Sequence, residues 1–131
     1  MIQGIGHDVV EIDRIKRLTG SMHGERFLNR VLTAGERSQA VGRARLAEYT
    51  AGRFAAKEAV SKAFGCGIGA VLGFQDIQII PDESGKPWAM LTRAAWERLA
   101  IGDPEVYTIH VSITHERQLA SAFVIVERHN I

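Results

Sequence analysis

Apolar and polar residues alternate along Val106 to His115. Ile109, Val111 and Ile113 point one way and Thr108, His110, Ser112 and Thr114 the other, the two-residue period of a half-buried strand. A second apolar strand, Leu119 to Glu127, follows through a tight connection at Glu116-Arg117-Gln118. Phe74 to Ile80 reads as a further strand. Turn chemistry follows it at Pro81, Asp82, Ser84 and Gly85, with Pro87 to Leu91 as its hairpin partner. At the start of the chain, Ile2 to Asp8 is short, apolar and punctuated by glycine, a buried strand with Asp8 as its polar tip. Gly4 and Gly6 offer no side chain to pack, which implies close approach by another backbone or a ligand.

Elsewhere the pattern is helical. Asp13 is placed to cap a short helix through Leu18, and residues 20 to 24 break it. Glu25 to Leu32 forms a second helix. Thr33-Ala34-Gly35-Glu36 matches a capping box and opens a third, which Gly42 interrupts. The longest helix runs from about Ala44 to Phe64 and ends in Gly65, Gly67 and Gly69. Thr92 caps one more helix, through about Ala100. Helices crowd the first half and strands the second, so the fold class is α+β: an antiparallel sheet packed on a long central helix plus short helices.

The long helix has two distinct sides. Ala47, Ala51, Ala55, Ala59 and Ala63 recur every fourth position, a stripe that a neighbouring backbone can approach closely. Phe54, Glu58, Lys62 and Gly65 fall along another side with Ser61 beside Lys62, and the cations of the segment sit on its polar faces. Such a row is either a rigid mount for a metal and a phosphate or a surface helix with an ordinary Glu–Lys pair, worth about 0.2–0.5 kcal/mol.

The 131 residues form a single domain, 1–131, large enough to bury a core without staples. A formal charge of +1 argues against a general nucleic-acid binder. Yet Arg14, Lys16, Arg17, Arg26, Arg30, Arg37, Arg43 and Arg45 crowd the first third, as solvated faces or as a docking surface for an acidic partner. The lone cysteine, Cys66, excludes an internal disulfide, and its place near a helix C-terminus disfavours a thiolate. No apolar run reaches the roughly 20 residues of a membrane span, and the N-terminus lacks the pattern of a secretion signal. A cytoplasmic protein is the expectation.

Two acids far apart, Asp8 and Glu58, offer hard oxygen ligands of the kind Mg²⁺ takes alongside water and substrate phosphate. His7, His110 and His115 have no zinc spacing, and no nucleophile elbow, phosphate-binding P-loop or dinucleotide fingerprint is present.

The motifs in combination are more specific. Gly4-Ile5-Gly6-His7-Asp8-Val9-Val10-Glu11-Ile12 and the run from Gly52-Arg53-Phe54 through Lys57-Glu58-Ala59-Val60-Ser61-Lys62 to Gly65 resemble the two signatures of the holo-[acyl-carrier-protein] synthases. Phe74-Gln75-Asp76-Ile77, Gly85-Lys86-Pro87 and His110-Val111-Ser112-Ile113-Thr114-His115 fit the same family in order and spacing, over essentially the whole chain. His7 and Cys66 stand where that family varies. The resemblance implies a 4'-phosphopantetheinyl transferase-like fold and transfer of 4'-phosphopantetheine from coenzyme A to a serine of apo acyl carrier protein, for fatty acid biosynthesis. It further implies one Mg²⁺ held by Asp8 and Glu58, with Lys62 on the diphosphate. Glu58 becomes the candidate base, directly or through water. Arg53 and His115 would contact the 3'-phosphate, Ser61 and Gly65 would line the cofactor cleft, and Pro87 would lie near the adenine. Arg14, Arg17 and Arg26 would receive the acidic carrier. The family is typically trimeric with clefts between subunits, and the alanine stripe is compatible with that. A non-catalytic binding module of the same fold, or a Mg²⁺-dependent enzyme acting on a free nucleotide, are the other readings.

Overall fold

Small residues decide how the long helix meets the sheet. In the structure, a computed structural model that describes residues 1–130, strands β1 (Ile2–Glu11), β4 (Tyr107–His115) and β5 (Leu119–Arg128) form an antiparallel sheet in the order β1-β5-β4. Helix α4 (Leu46–Ala63) lies across one face of it. Ala51, Ala55 and Ala59 are fully buried there against Val10, Ala120, Ala122, Val124 and Val126. The approach is closest at β1, where a Cβ built on Gly4 or Gly6 would stand 1.8 Å from the carbonyl oxygen of Ala63 or Ala59. The alanine stripe and the two glycines therefore answer each other within one chain, and the stripe is not free to face a second copy.

The remaining elements surround this contact. Helices α1 (Ile12–Thr19), α2 (Gly24–Val31) and α3 (Ala34–Ala40) precede α4. Strands β2 (Ile77–Pro81) and β3 (Pro87–Leu91) form a separate two-stranded hairpin, followed by α5 (Arg93–Leu99). Thr33 and Glu36 form the anticipated capping box, and Thr92 caps α5 by accepting from the Ala95 N–H.

Three local expectations change. Strand β1 continues past Asp8 to Glu11 because β5 is long enough to pair with it as far as Glu11 opposite Leu119. Asp8 is thus a strand residue, opposite Ala122, and not a tip. The first helix starts directly from the strand at Ile12, whose N–H donates to Gln118 O, so Asp13 sits in the first turn and caps nothing. Residues Phe74–Asp76 form a 3₁₀ turn instead of a strand, closed by the Asp76 carboxylate accepting from the Gly73 N–H.

Lys57 also departs from expectation. It is fully buried, with Nζ donating to Glu36 Oε1 at 2.6 Å, Val31 O at 2.6 Å and Phe74 O at 3.0 Å. Glu36, equally buried, accepts in addition from the Thr33 and Ile79 N–H groups. Burial pushes the Lys57 ammonium down and Glu36 opposes that. A buried charge persists only when paired and hydrogen-bonded, and this pair ties α2, α3, the 3₁₀ turn and β2 to α4.

Candidate active site

Gly4, Gly6 and Asp8 share one face of β1 at the strand period, so the close seating of the two glycines brings the next side chain, Asp8, against α4. Lys62 leans toward the N-terminus of its helix and meets it: Nζ donates to Asp8 Oδ1 at 3.0 Å and to His7 O at 3.1 Å. Glu58, one turn earlier, completes the group. Burial first, and the Asp8 charge second, hold the Glu58 carboxyl above the usual carboxylate range, while Lys62 and Arg14 draw it back. Two carboxylates that repel each other at a half-buried strand–helix junction form a site that a cation relieves. A plain surface ion pair would be worth about 0–1 kcal/mol and would not explain the second acid.

Among the described residues, no group of three or more His, Cys, Asp or Glu is gathered to enclose a metal. The pair Asp8 and Glu58 therefore suits an ion that completes its shell from water and substrate oxygens, as Mg²⁺ does, and not a structural cage.

A second feature lies on the other side of α4. An open pocket of about 380 Å³ is lined by Arg43, Arg45, Glu48, Tyr49, Arg53 and His115. It adjoins another of about 510 Å³ that shares Arg45, Glu48 and His115 and adds Glu116 and Arg117. The guanidinium groups of Arg43 and Arg53 lie 4.6 and 4.3 Å from the centre of the Tyr49 ring, and Tyr49 is itself fixed by donating to Glu36 O. Burial lowers the pKa of Arg53, opposed by Tyr49 and Glu36. The groove thus gathers several cations, two of them held against Tyr49, an arrangement suited to a phosphate monoester.

The structure brings Asp8, Glu58 and Lys62 together, and Arg53 with His115, but does not join the two groups. Arg53 and Glu58 are five positions apart on α4, a rotation of about 140° and a rise of about 7.5 Å. Asp8 belongs to the β1 edge of the sheet and His115 to the β4 edge, with β5 between. Ser61 is fully buried with its hydroxyl donating to Glu58 O at 2.7 Å, so its side chain lines no opening in the single chain. Gly65 turns the chain just beyond α4 with φ of 78°. Pro87 begins β3 opposite Pro81 and lines neither pocket of the groove. Arg14 and Arg17 are exposed on α1 and Arg26 on α2, with the Arg14 guanidinium 5.9 Å from the Phe54 ring centre. Sequence reasoning missed Glu48 and Tyr49 as groove residues. Their only signal is helical periodicity, four or five positions before Arg53.

The outer face of the sheet is the third feature. Ile5, Val9, Phe123 and Ile125 stand 61%, 48%, 54% and 38% exposed, and the His7 ring stacks on Phe123 at 4.0 Å. Among the described residues no helix is long and apolar enough to cross a membrane.

Known proteins match this chain along nearly its whole length. The family profile of the 4'-phosphopantetheinyl transferase superfamily matches residues 4–121. The holo-[acyl-carrier-protein] synthase of Bacillus subtilis (strain 168) is 45% identical over 130 residues, covering 98% of each chain. A crystal structure of a holo-(acyl-carrier-protein) synthase from Bacillus anthracis str. Ames, in complex with CoA (3',5'-ADP), is 38% identical with a TM-score of 0.80 and covers 98% of each chain. The crystal structure of holo-[acyl-carrier-protein] synthase from Neisseria meningitidis is 36% identical, with a TM-score of 0.87 over 98% of this chain and 100% of that one.

Proposed function

The chain belongs to the 4'-phosphopantetheinyl transferase superfamily, and on this footing we infer what its two charged sites do. It is an enzyme that transfers the 4'-phosphopantetheine moiety of coenzyme A to a serine of apo acyl carrier protein, leaving adenosine 3',5'-bisphosphate and supplying holo carrier for fatty acid biosynthesis. The observation that carries the mechanism is the Asp8–Lys62–Glu58 cluster, two acids and an ammonium at one strand–helix junction.

In the reaction the serine oxygen bonds to the phosphorus bearing the pantetheine arm as the bridging bond of the diphosphate breaks. The serine proton goes to Glu58, whose carboxylate is made more basic by burial and by the Asp8 charge. The Lys62 ammonium lies against the diphosphate and stabilises the negative charge that builds on the departing phosphate. Asp8 holds Lys62 in place. Asp8 and Glu58 would hold a Mg²⁺ ion, which supplies positive charge to the diphosphate when bound. Arg53 and His115 receive the 3'-phosphate, Gly65 and the buried Ser61 shape the turn beside the cluster, and Pro87 lies toward the adenine. Arg14, Arg17 and Arg26 receive the acidic carrier protein, steering encounter in a salt-dependent way. The reaction belongs to the cytoplasm, where coenzyme A and the carrier meet.

One coenzyme A cannot easily span cluster and groove across the thickness of α4 within a single chain. Copies packed through the outer sheet face around Ile5, Val9, Phe123 and Ile125 would set the cluster of one beside the groove of the next. A homotrimer, which the family resemblance implies, is the assembly proposed.

Mass spectrometry of apo acyl carrier protein incubated with coenzyme A and Mg²⁺ tests the function. One phosphopantetheinyl group is added to the serine, and the addition is lost with chelator and in Asp8→Ala and Glu58→Ala chains that remain folded. Binding of the carrier without any mass change would overturn the assignment in favour of a non-catalytic module.

A further inference from the structure

Two guanidinium groups reach the groove from different segments, and one aromatic ring receives both. Arg43 stands on the loop before α4 and Arg53 one turn beyond Tyr49 on the helix, with Cζ atoms 4.6 and 4.3 Å from the centre of the Tyr49 ring. Their Nε–H groups go to backbone: Arg43 donates to Gln39 O at 2.9 Å and Arg53 to Ile79 O at 3.3 Å. Among the described residues neither guanidinium pairs with a carboxylate, whereas Arg45 beside them pairs with Glu48 at 3.5 Å.

A carboxylate would hold these two arginines but would also neutralise them and repel a phosphate. A ring face attracts a guanidinium through its quadrupole and leaves the outer N–H groups free to donate. Tyr49 suits that task because it is buried and anchored, its hydroxyl donating to Glu36 O at 2.8 Å. Glu36 is the acid of the buried pair with Lys57, and its Oε2 also accepts from the Ile79 N–H at 2.7 Å. Both supports of Arg53, the Tyr49 ring and the Ile79 carbonyl, therefore trace to one buried residue. Holding flexible side chains in place before a ligand arrives removes part of the ordering cost of binding.

We propose that Tyr49 is a positioning residue whose ring holds the Arg43 and Arg53 guanidinium groups at the groove without neutralising them, and so sets the preference for coenzyme A over its dephospho form. The proposal rests on the groove being the 3'-phosphate site, as inferred above.

The test compares KM for coenzyme A and for dephospho-coenzyme A in the wild-type enzyme, in Tyr49→Phe, and in chains carrying ring-fluorinated phenylalanines at position 49. Fluorine nearly keeps the shape of the ring but withdraws electron density from its face, so it weakens the hold on the arginines. Tyr49→Phe keeps the face, and its KM for coenzyme A should stay within about two-fold of wild type. Pentafluorophenylalanine should raise that KM about ten-fold over Tyr49→Phe, with partly fluorinated rings in between, while KM for dephospho-coenzyme A moves by less than about two-fold. In a chain that also carries Arg43→Ala and Arg53→Ala the fluorine effect must vanish. Melting curves establish that each chain is folded, and the partly fluorinated rings decide the matter where the fully fluorinated one destabilises the protein. A KM for coenzyme A that ignores fluorine content, an equal rise for both substrates, or an effect that survives the loss of both arginines overturns the proposal and makes Tyr49 a packing residue. A wild-type enzyme that uses both substrates with the same KM would instead remove the reading of the groove on which it rests.

Discussion

Gly6→Ala adds one methyl group at one of the two tightest strand–helix contacts. The new Cβ would lie 1.8 Å from Ala59 O, 2.7 Å from Ala59 C and 2.9 Å from Ala63 N. Ordinary contact begins near 3.4 Å, so strand and helix must separate by about 1.6 Å at that point. All three atoms are helix backbone, so no rotamer change relieves the clash. Overpacking costs about 1–3 kcal/mol where side chains can adjust, and here the cost lies at about 3 kcal/mol or above. For a domain of this size that lowers Tm by roughly 10 °C. The same displacement carries Asp8, two residues along the strand, away from Glu58 and Lys62. A misplacement of about 1 Å can cost about 100-fold in rate, so kcat/KM should fall by that order in the molecules that remain folded. Thermal melts and initial rates of transfer, measured below the variant's Tm, give both quantities. Gly69→Ala is the control, because a Cβ there meets nothing within 4 Å, and its Tm should stay within about 2 °C of wild type. A Gly6→Ala protein that melts like Gly69→Ala and keeps its rate would refute the close seating of β1 on α4 as the device that builds the site.

Glu58 should trade stability for function. Its native carboxyl pKa is held above the unfolded value, so the native state binds that proton more tightly and ionised Glu58 subtracts stability at neutral pH. The deficit shrinks as pH falls through the raised native pKa. Glu58→Gln, in chelator, should therefore melt above wild type at about pH 7, with the gain closing below about pH 4, while transfer is lost. A lower Tm at neutral pH would mean that Lys62 and Arg14 outweigh burial and the Asp8 charge. Charge reversal at Arg14 should raise KM for the carrier protein more than KM for coenzyme A, by a factor that shrinks with added salt; equal effects on both substrates would move the docking surface elsewhere.

Much of this architecture is written in local periodicity. The alternation at Ile109, Val111 and Ile113 marks β4. The capping box at Thr33 and Glu36 marks the start of α3, and the four-residue alanine repeat marks the packed side of α4. The partnership of that stripe with Gly4 and Gly6 was legible only as two halves, since nothing local says which backbone approaches which. The place of Asp8 within β1 depends on the length of β5, more than a hundred residues later. Lys57 reads as one more surface cation because its partners, Glu36, Val31 and Phe74, reach it from three other segments of the chain. The separation of Arg53 from Glu58 around α4 follows from helical geometry alone and could be read without coordinates. The approach of Glu48 to His115 could not, because it depends on His115 arriving from the far end of β4.

That separation leads to the most direct test. As proposed, cluster and groove serve one coenzyme A from two copies of the chain. One chain carrying Asp8→Ala and Glu58→Ala, and another carrying Arg53→Ala and His115→Ala, should each be inactive alone. Dissociated, mixed in equal amounts and reassembled, they should recover about one quarter of wild-type transfer activity, because one site in four pairs two intact halves. Mixtures that stay inactive, although mass spectrometry shows mixed assemblies, would contradict the account.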